Sequence, residues 1–357
     1  MLIVRSPVRI SFGGGGTDLP AYYEKFGGAV LSTSINKYFY TVLQKRSDGK
    51  VQVISSDLRI METWQDISRM DTSRSELGIP LAVIKELGCD ISVDLFLASE
   101  IVAGTGLGSS ASVCVGVLKA LATYLDLPFS KYELAERSFH IARNLLGKPV
   151  GKQDEYAAAF GGLNFITFNP DGSVFVEPVM PRRDYRIEFE RNLMLFFTGV
   201  SRSSWELLQA QEASAKQETG ATIESLHQIR GLADHLRRAL MKGDLLAFGE
   251  LLHEGWEAKK KISSKISNPL IDEAYTLARK HGAMGGKITG AGGGGFLLLF
   301  CEERFQAKVR QAIARLDLRE MAFALDTQGA EVVASDPFID NDDRCGMRWT
   351  FSPVHVQ

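Results

Sequence analysis

The chain has 357 residues, 45% of them hydrophobic and 24% charged, and a formal net charge of −2, the balance of an ordinary globular protein long enough for two domains. That charge gives no electrostatic case for nucleic acid or an anionic membrane, and no apolar run approaches the ~20 residues that span a bilayer. The 4 cysteines are scattered with no C-x-x-C pair, and the 6 histidines form no H-E-x-x-H, so neither a disulfide framework nor a zinc site is expected; with no signal-like N-terminal segment the expected location is the reduced cytoplasm.

In chain order, 1–12 reads as a strand with a proline interruption at Pro7. It ends in the glycine run Gly13–Gly16, followed by Thr17 and Asp18. Glycines in a row give up much backbone entropy, which suggests a place where the chain hugs a ligand or another segment. Asp18, just before Leu19 and Pro20, fits a helix N-cap and an acceptor for substrate hydroxyls equally well. Strands are expected over 29–35, 38–43 and 51–54, with a turn at 47–50. A helix is expected over 75–88, closed by Gly88. The stretch 91–98 alternates apolar and polar residues as a half-buried strand does.

That strand leads into Gly104-Thr-Gly-Leu-Gly-Ser-Ser-Ala-Ser112, and an apolar helix-like run follows over 113–122. A glycine-rich turn thus opens directly into a helix N-terminus. Its first N–H groups lack helical partners and sit at the positive end of the dipole, which together bind phosphate. Ser109 and Ser110 add hydroxyls that could reach phosphate oxygens or a metal. The segment 106–111 also fits the G-x-G-x-x-A dinucleotide pattern, with Asp126 near the place of a ribose-binding acid. The strand–helix repeats of a Rossmann fold do not follow, and no Lys-Ser/Thr completes a Walker A loop. The plainer reading is a serine-capped strand-to-helix turn.

A second helix is expected over 130–147. Lys148, Lys152 and Asp154 then lie in a loop between helical runs. On its own signal Asp154 reads as a helix cap slightly ahead of a catalytic acid–base residue. Strands at 163–168 and 174–179 flank a turn, and Pro181-Arg-Arg-Asp184 is the best boundary between domains. A buried strand over 192–199 precedes a mostly helical stretch from about 203 to 261, broken near Gly220 and 242–244. Within it Trp256 and His253 read as packing residues, and Lys259–Lys261 as a solvated helix end. The third glycine cluster, 285–295, leads to a strand over 296–300, a helix over 304–315, a last strand near 330–333, and a polar tail.

Three segments carry a resemblance. Ser6-Pro-Val-Arg9 with Gly14, Thr17 and Asp18, then 106–111, then Lys287-Ile-Thr-Gly-Ala-Gly-Gly-Gly-Gly295 occur in the order and spacing of the GHMP small-molecule kinases. Within that superfamily the chain is most similar to the bacterial heptose 7-phosphate kinases, through Gly13–Gly16 and the stretches 151–162, 252–260 and 266–272. Fucose kinases are the nearest alternative.

The resemblance implies an α+β, two-domain GHMP kinase fold. Residues 1–180 would form an N-terminal domain like domain 2 of ribosomal protein S5, and 181–333 a ferredoxin-like C-terminal domain, with 334–357 as a tail of unknown role. It implies ATP with Mg²⁺. Gly104, Gly106, Leu107, Gly108, Ser109, Ser110 and Ala111 would surround the triphosphate, with Ser110 on the metal. Asp154 matches the family's catalytic aspartate, which would orient or deprotonate an anomeric hydroxyl, with Arg9 keeping it ionised. Asp18, Gly15, Gly16, Thr17, Lys152, Gly292 and Gly293 would serve the sugar, and Lys287 would shape the floor. The implied reaction converts a heptose 7-phosphate to the 1,7-bisphosphate for nucleotide-heptose supply. A nucleotide- or sugar-binding protein that has lost catalysis is the alternative.

The implied partner is therefore a small sugar phosphate, with no nucleic acid and no membrane; a homodimer is left open. Families of this fold usually carry a metal-ligand glutamate one helix ahead of the catalytic aspartate. Ala142 stands there, and Glu136 is off register on the same helix. The expectation is an active enzyme that needs high Mg²⁺, or another carboxylate in that place. A phosphorylated sugar also needs cations near its far end, and Lys148, Lys152, Arg202 and Lys259–Lys261 are the candidates.

Overall fold

A computed structural model describes residues 1–72, 75–88, 91–201, 208–209, 212–213 and 220–335. Two long strands frame its first half. β1 (Leu2–Gly13) and β2 (Gly28–Lys45) run antiparallel, from Leu2 opposite Leu43 to Gly13 opposite Leu31. Pro7 does not interrupt β1. The register shifts between Pro7 and Val8, where Asn36 and Lys37 bulge from β2, and a bulge is where a strand tolerates proline.

The rest of the first sheet grows from this pair. β3 (Val51–Ser55), β4 (Ile60–Trp64) and β5 (Val93–Ser99) extend it past the second half of β2. β6 (Leu163–Phe168) and β7 (Val174–Pro178) lie against the first half. β3 and β5 are parallel, since the long connection between them carries α2 (Gly78–Leu87). After α1 (Pro20–Phe26), the helices that concern the site are α3 (Ser109–Tyr124), α4 (Lys131–His140) and α5 (Gln153–Phe160). A Ser130–Glu133 capping box starts α4, which runs into a π-helical turn, Ile141–Leu145, a distortion frequent at functional sites. α3 lies close on the sheet. A Cβ at Gly116 would stand 3.4 Å from Ser6 Cβ and 3.4 Å from Thr41 Oγ1, so this helix is pinned along its length and its first turn is held in place.

The second half contains α6 (Arg183–Arg191), β8 (Leu193–Phe197), α7 (Gly220–Lys242), α8 (Leu245–Lys260) and α9 (Pro269–Lys280), then β9 (Ala283–Ile288), β10 (Phe296–Cys301), α10 (Glu303–Ala314) and β11 (Arg319–Glu320). Its antiparallel sheet has the order β11-β8-β10-β9. Numbered within the unit this is 4-1-3-2, the ferredoxin-like order expected from sequence. One face packs on α9, α10 and Trp256. The other shares a core with α7, α8 and Val8, Ile10 and Phe12 of β1. There Phe12, Phe189, Phe248 and Phe300 pack ring on ring, with centroids 5.1 to 5.8 Å apart. Each such pair adds ~0.5–1.5 kcal/mol beyond its buried area, and together they fix the glycine run after Phe12 relative to the second sheet.

One expected element sits elsewhere. The strand near 330–333 forms as β12 (Glu331–Ser335), but it joins the first sheet at the edge of β1, with Leu2 opposite Ser335 and Arg5 opposite Glu331. The Arg5–Glu331 ion pair at 2.5 Å reinforces the join. Of the tail over 334–357, only 334 and 335 lie within the described residues, as the end of β12; of the helical stretch expected from about 203, the part before Gly220 lies largely outside them. No helix among the described residues is long and apolar enough to cross a membrane.

Candidate active site

The three glycine segments meet in one cleft between the two sheets. Gly104, Gly106 and Gly108 all have positive φ, at 76°, 80° and 76°, a conformation open to glycine and strained for other residues. Close approach adds a second demand. A Cβ on Gly106 would lie 2.5 Å from Thr289 O, and one on Gly108 3.2 Å from Asp154 Oδ2. The N-cap of α3 is Gly108 and makes no side-chain cap bond, so the serine-capped turn is not what forms. Ser109 and Ser110 stand in the first turn at the cleft wall with Ala111, leaving that turn's N–H groups directed at the cleft. Leu107, expected at the nucleotide, is fully buried in the second core. Its carbonyl accepts the Arg9 backbone N–H at 2.9 Å.

Arg9 and Asp154 form the centre of the cleft. From β1, Arg9 donates Nε and Nη2 to Asp154 Oδ1 at 2.8 and 2.7 Å, and Nη1 to Gly106 O at 2.6 Å. One guanidinium thus joins the glycine loop to the aspartate. Asp154 is the second residue of α5, whose N-cap is Lys152, so it is not a cap. Both Arg9 bonds fall on Oδ1, and Oδ2 faces the loop at Gly108.

Asp18 is not the cap of α1 either; that position is Leu19. Its Oδ1 accepts from Gly16 N at 2.9 Å and from Gln153 Nε2 at 3.1 Å, and its Oδ2 from Gln153 N at 3.2 Å. Asp18 therefore holds the start of α5 from a distant loop. Gly151 makes this possible, since a Cβ there would meet Asp18 Oδ2 at 2.1 Å. Burial, and then the Asp154 charge, raise the Asp18 pKa above the usual carboxylate range.

Gly15, Gly16 and Gly292 line the cleft, and three expected neighbours do not. Thr17 is fully buried; its hydroxyl donates to Gly14 O at 2.7 Å and accepts from Ala29 N at 3.1 Å, which fixes the glycine turn against β2. Lys152 is turned away, its ammonium held by both oxygens of Glu136 at 2.8 and 3.0 Å and by Gly172 O at 2.8 Å. That bond also commits Glu136, which accepts from Tyr156 OH as well. Gly293 turns to the 266–268 segment, with its N–H on Ile266 O at 2.8 Å. Arg202 lies outside the described residues.

Sequence reasoning left Glu155 unnamed and read Lys259 as part of a solvated helix end. Lys259 is buried, not solvated, and donates to Gly290 O. Its spacing from Leu252 and Trp256, both fully buried, puts it on the inner helix face, a signal masked by the two lysines after it. Burial, then the Arg9 charge, push its pKa down to about 8, with Asp18 opposing. Lys287 is buried beside it, and burial followed by the charges of Lys259 and Arg9 holds it well below the usual lysine range. Glu155, next to Asp154, is 2% exposed and its Oε2 has no hydrogen-bond partner among the described residues. Burial and then Asp154 drive its pKa well above the usual value. Ala142 lines the same cleft. Trp256 and His253 are packing residues as expected; His253 Nδ1 meets Tyr275 OH at 2.7 Å.

An α+β molecule of two units, with a glycine loop and helix N-terminus closing on an Arg–Asp pair at their junction, has the build of a phosphate-handling enzyme of the small-molecule kinase type. Residues 78–162 match the GHMP kinases N terminal domain and 236–316 the GHMP kinases C terminal, and the chain belongs to the GHMP kinase family. It is 33% identical over 303 residues to the D-glycero-alpha-D-manno-heptose 7-phosphate kinase of Campylobacter jejuni subsp. jejuni serotype O:2, covering 84% of this chain and 88% of that protein. It is 26% identical to the L-fucokinase/L-fucose-1-P guanylyltransferase of Bacteroides fragilis over 86% of this chain, which spans 35% of that longer protein. The crystal structure of a D-glycero-D-manno-heptose 1-phosphate kinase from Bacteroides thetaiotaomicron superposes with a TM-score of 0.78 at 30% identity, over 94% of this chain and 100% of that one.

Proposed function

We propose that the protein transfers the γ-phosphoryl group of ATP to the anomeric hydroxyl of a heptose 7-phosphate, giving the 1,7-bisphosphate and ADP in the cytoplasm. The observation that carries this reading is Asp154, bound by Arg9 through Oδ1 and, among the described residues, without a hydrogen bond at Oδ2, which faces the glycine loop. The names of the Campylobacter and Bacteroides thetaiotaomicron relatives support the sugar class. We keep 1–180 and 181–333 as the proposed units, with β12 returning to the first.

In this mechanism the first turn of α3 and the backbone of 104–108 hold the triphosphate by N–H groups. Asp18, Gly15 and Gly16 receive the sugar. Asp154 Oδ2 accepts the proton of the sugar hydroxyl, whose oxygen attacks the γ-phosphorus as the bond to ADP breaks. Arg9 balances the carboxylate and keeps it aligned with the loop. Such catalysis is mainly positioning and charge stabilisation, which a site of three fixed loops provides.

The residues present fit a Mg²⁺ ion. Ser110 is not consumed as a cap, and Glu155 offers a buried, unpartnered carboxylate oxygen in the cleft that Ala142 also lines. Glu155 would take the place of the carboxylate missing at Ala142. Mg²⁺ usually binds through one or two carboxylates, phosphate oxygens and water, and when bound it neutralises charge on the phosphates. The test of the reaction is ³¹P NMR of the product, which should show a new anomeric phosphate. Asp154→Asn should lower kcat by ~10²–10⁴-fold, the usual worth of a general base, with the fold intact by circular dichroism.

A further inference from the structure

Two ammonium groups end in the cleft without an ion pair among the described residues, Asp18 being the one acidic neighbour that acts on Lys259. Lys259, in the last turn of α8, and Lys287, on β9, are 8% and 6% exposed. Lys259 donates to Gly290 O, and Lys287 reaches Phe12 O at 3.5 Å. Arg9 stands near both, and its charge is already met by Asp154. Buried charges left unpaired are costly, so the arrangement is complete only with an anion between them.

Of the other cations considered from sequence, Lys152 and Lys260 are committed elsewhere, Lys148 is half-buried in the same cleft, and Arg202 lies outside the described residues. Lys152 is held by Glu136 and Lys260 by Glu257. Lys261 is exposed. Both buried lysines line the main cleft together with residues of the 104–111 loop, and Lys259 sits at Gly290, which abuts Gly106. Both also line a small crevice below Gly13–Gly15, walled by Phe12, Leu232 and Leu236, to which no residue of 104–111 contributes. They thus reach the glycine run and Asp18 as well as the loop, and α3 already supplies N–H donors for the nucleotide phosphates.

We propose that Lys259 and Lys287 form a subsite for the phosphate monoester carried by the sugar substrate, and so select a phosphorylated sugar over a free one. The proposal rests on the sugar-kinase reading above. A phosphate dianion between them gains two charge-assisted hydrogen bonds and supplies the missing counter-charge. A free sugar leaves both lysines buried and unpaired.

The test compares the wild type with Lys259→Met and Lys287→Met, each checked by thermal melting. It reads steady-state kinetics on heptose 7-phosphate and free heptose, and calorimetric binding of heptose 7-phosphate without nucleotide. Each variant should raise KM and Kd for the phosphorylated sugar by about 10- to 100-fold, the worth of a hydrogen bond to a charged group. The loss should fall on KM more than on kcat, and should be far smaller for free heptose than for the phosphorylated sugar. A fall in kcat with KM unchanged would assign the lysines to the transferred phosphoryl group and overturn the proposal. An equal loss for both sugars would do so too, as general shaping of the cleft. If the wild type turned over no sugar phosphate, the kinase reading itself would fail, while calorimetry would still decide whether the lysines bind a sugar phosphate.

Discussion

At Asp154 the two carboxylate oxygens face different neighbours, and the chemistry proposed for the residue follows from that difference. Sequence presented Asp154 and Asp18 as helix caps with a second use; in the structure each points away from its own helix start, to Arg9 and to Gln153. Lys152 looked like a free cation because its partner Glu136 comes from the preceding helix, a contact no local pattern announces. Glu155 carries the residue-scale prediction for the metal. Glu155→Gln should weaken Mn²⁺ binding to the ADP complex, read by electron paramagnetic resonance, by at least ~10-fold, and raise the Mg²⁺ needed for activity. Adding Ala142→Glu should restore both. Unchanged Mn²⁺ affinity in Glu155→Gln would remove the residue from the metal site. Lys259 carries the pH prediction. Its ammonium, pushed down to about 8 by burial and Arg9, must be charged to hold a phosphate. kcat/KM follows the free enzyme's ionisation, so for the phosphorylated sugar it should fall as pH rises through about 8. Arg9 from β1, Asp18 from the glycine loop and Lys287 from β9 face this group. Lys259→Arg, whose guanidinium stays charged, should remove that falling limb; a limb that persists would place its origin elsewhere.

At the scale of elements, the glycine clusters were legible because their backbone angles and close approaches leave few other residues able to stand there. Gly106 and Gly290 lie against each other across the cleft: a Cβ on Gly290 would meet Gly106 Cα at 2.6 Å. Gly106→Ala should therefore spread the loop from the 289–290 turn. We expect ATP affinity, measured by calorimetry, to fall by more than ~10-fold, given a positive φ and a backbone clash, while α3 and the first sheet persist by circular dichroism. Normal ATP affinity would show that the loop does not need this contact. What sequence could not supply was the phase of α8. Leu252, Trp256 and Lys259 share the inner face, yet the triple lysine suggested a solvated end.

For the whole molecule, most strands and helices were legible in order, but β4, α6 and β11 were missed, as was the route of the last strand. β12 pairs with β1 across nearly the full length of the chain, so the first sheet takes its edge strand from beyond the second unit. The aromatic cluster of Phe12, Phe189, Phe248 and Phe300 then holds β1 to the second sheet, and the cleft exists because the two units share that core. The central claim is that this junction is a kinase site for a phosphorylated heptose. Its most direct test is ADP release with MgATP across heptose 7-phosphate, free heptose, mannose, fucose, galactose and mevalonate, with Asp154→Asn as control. Turnover of heptose 7-phosphate should stand far above that of the other acceptors and be abolished in the variant. Turnover of fucose or mevalonate in its place, or ATP binding with no acceptor turned over, would contradict it.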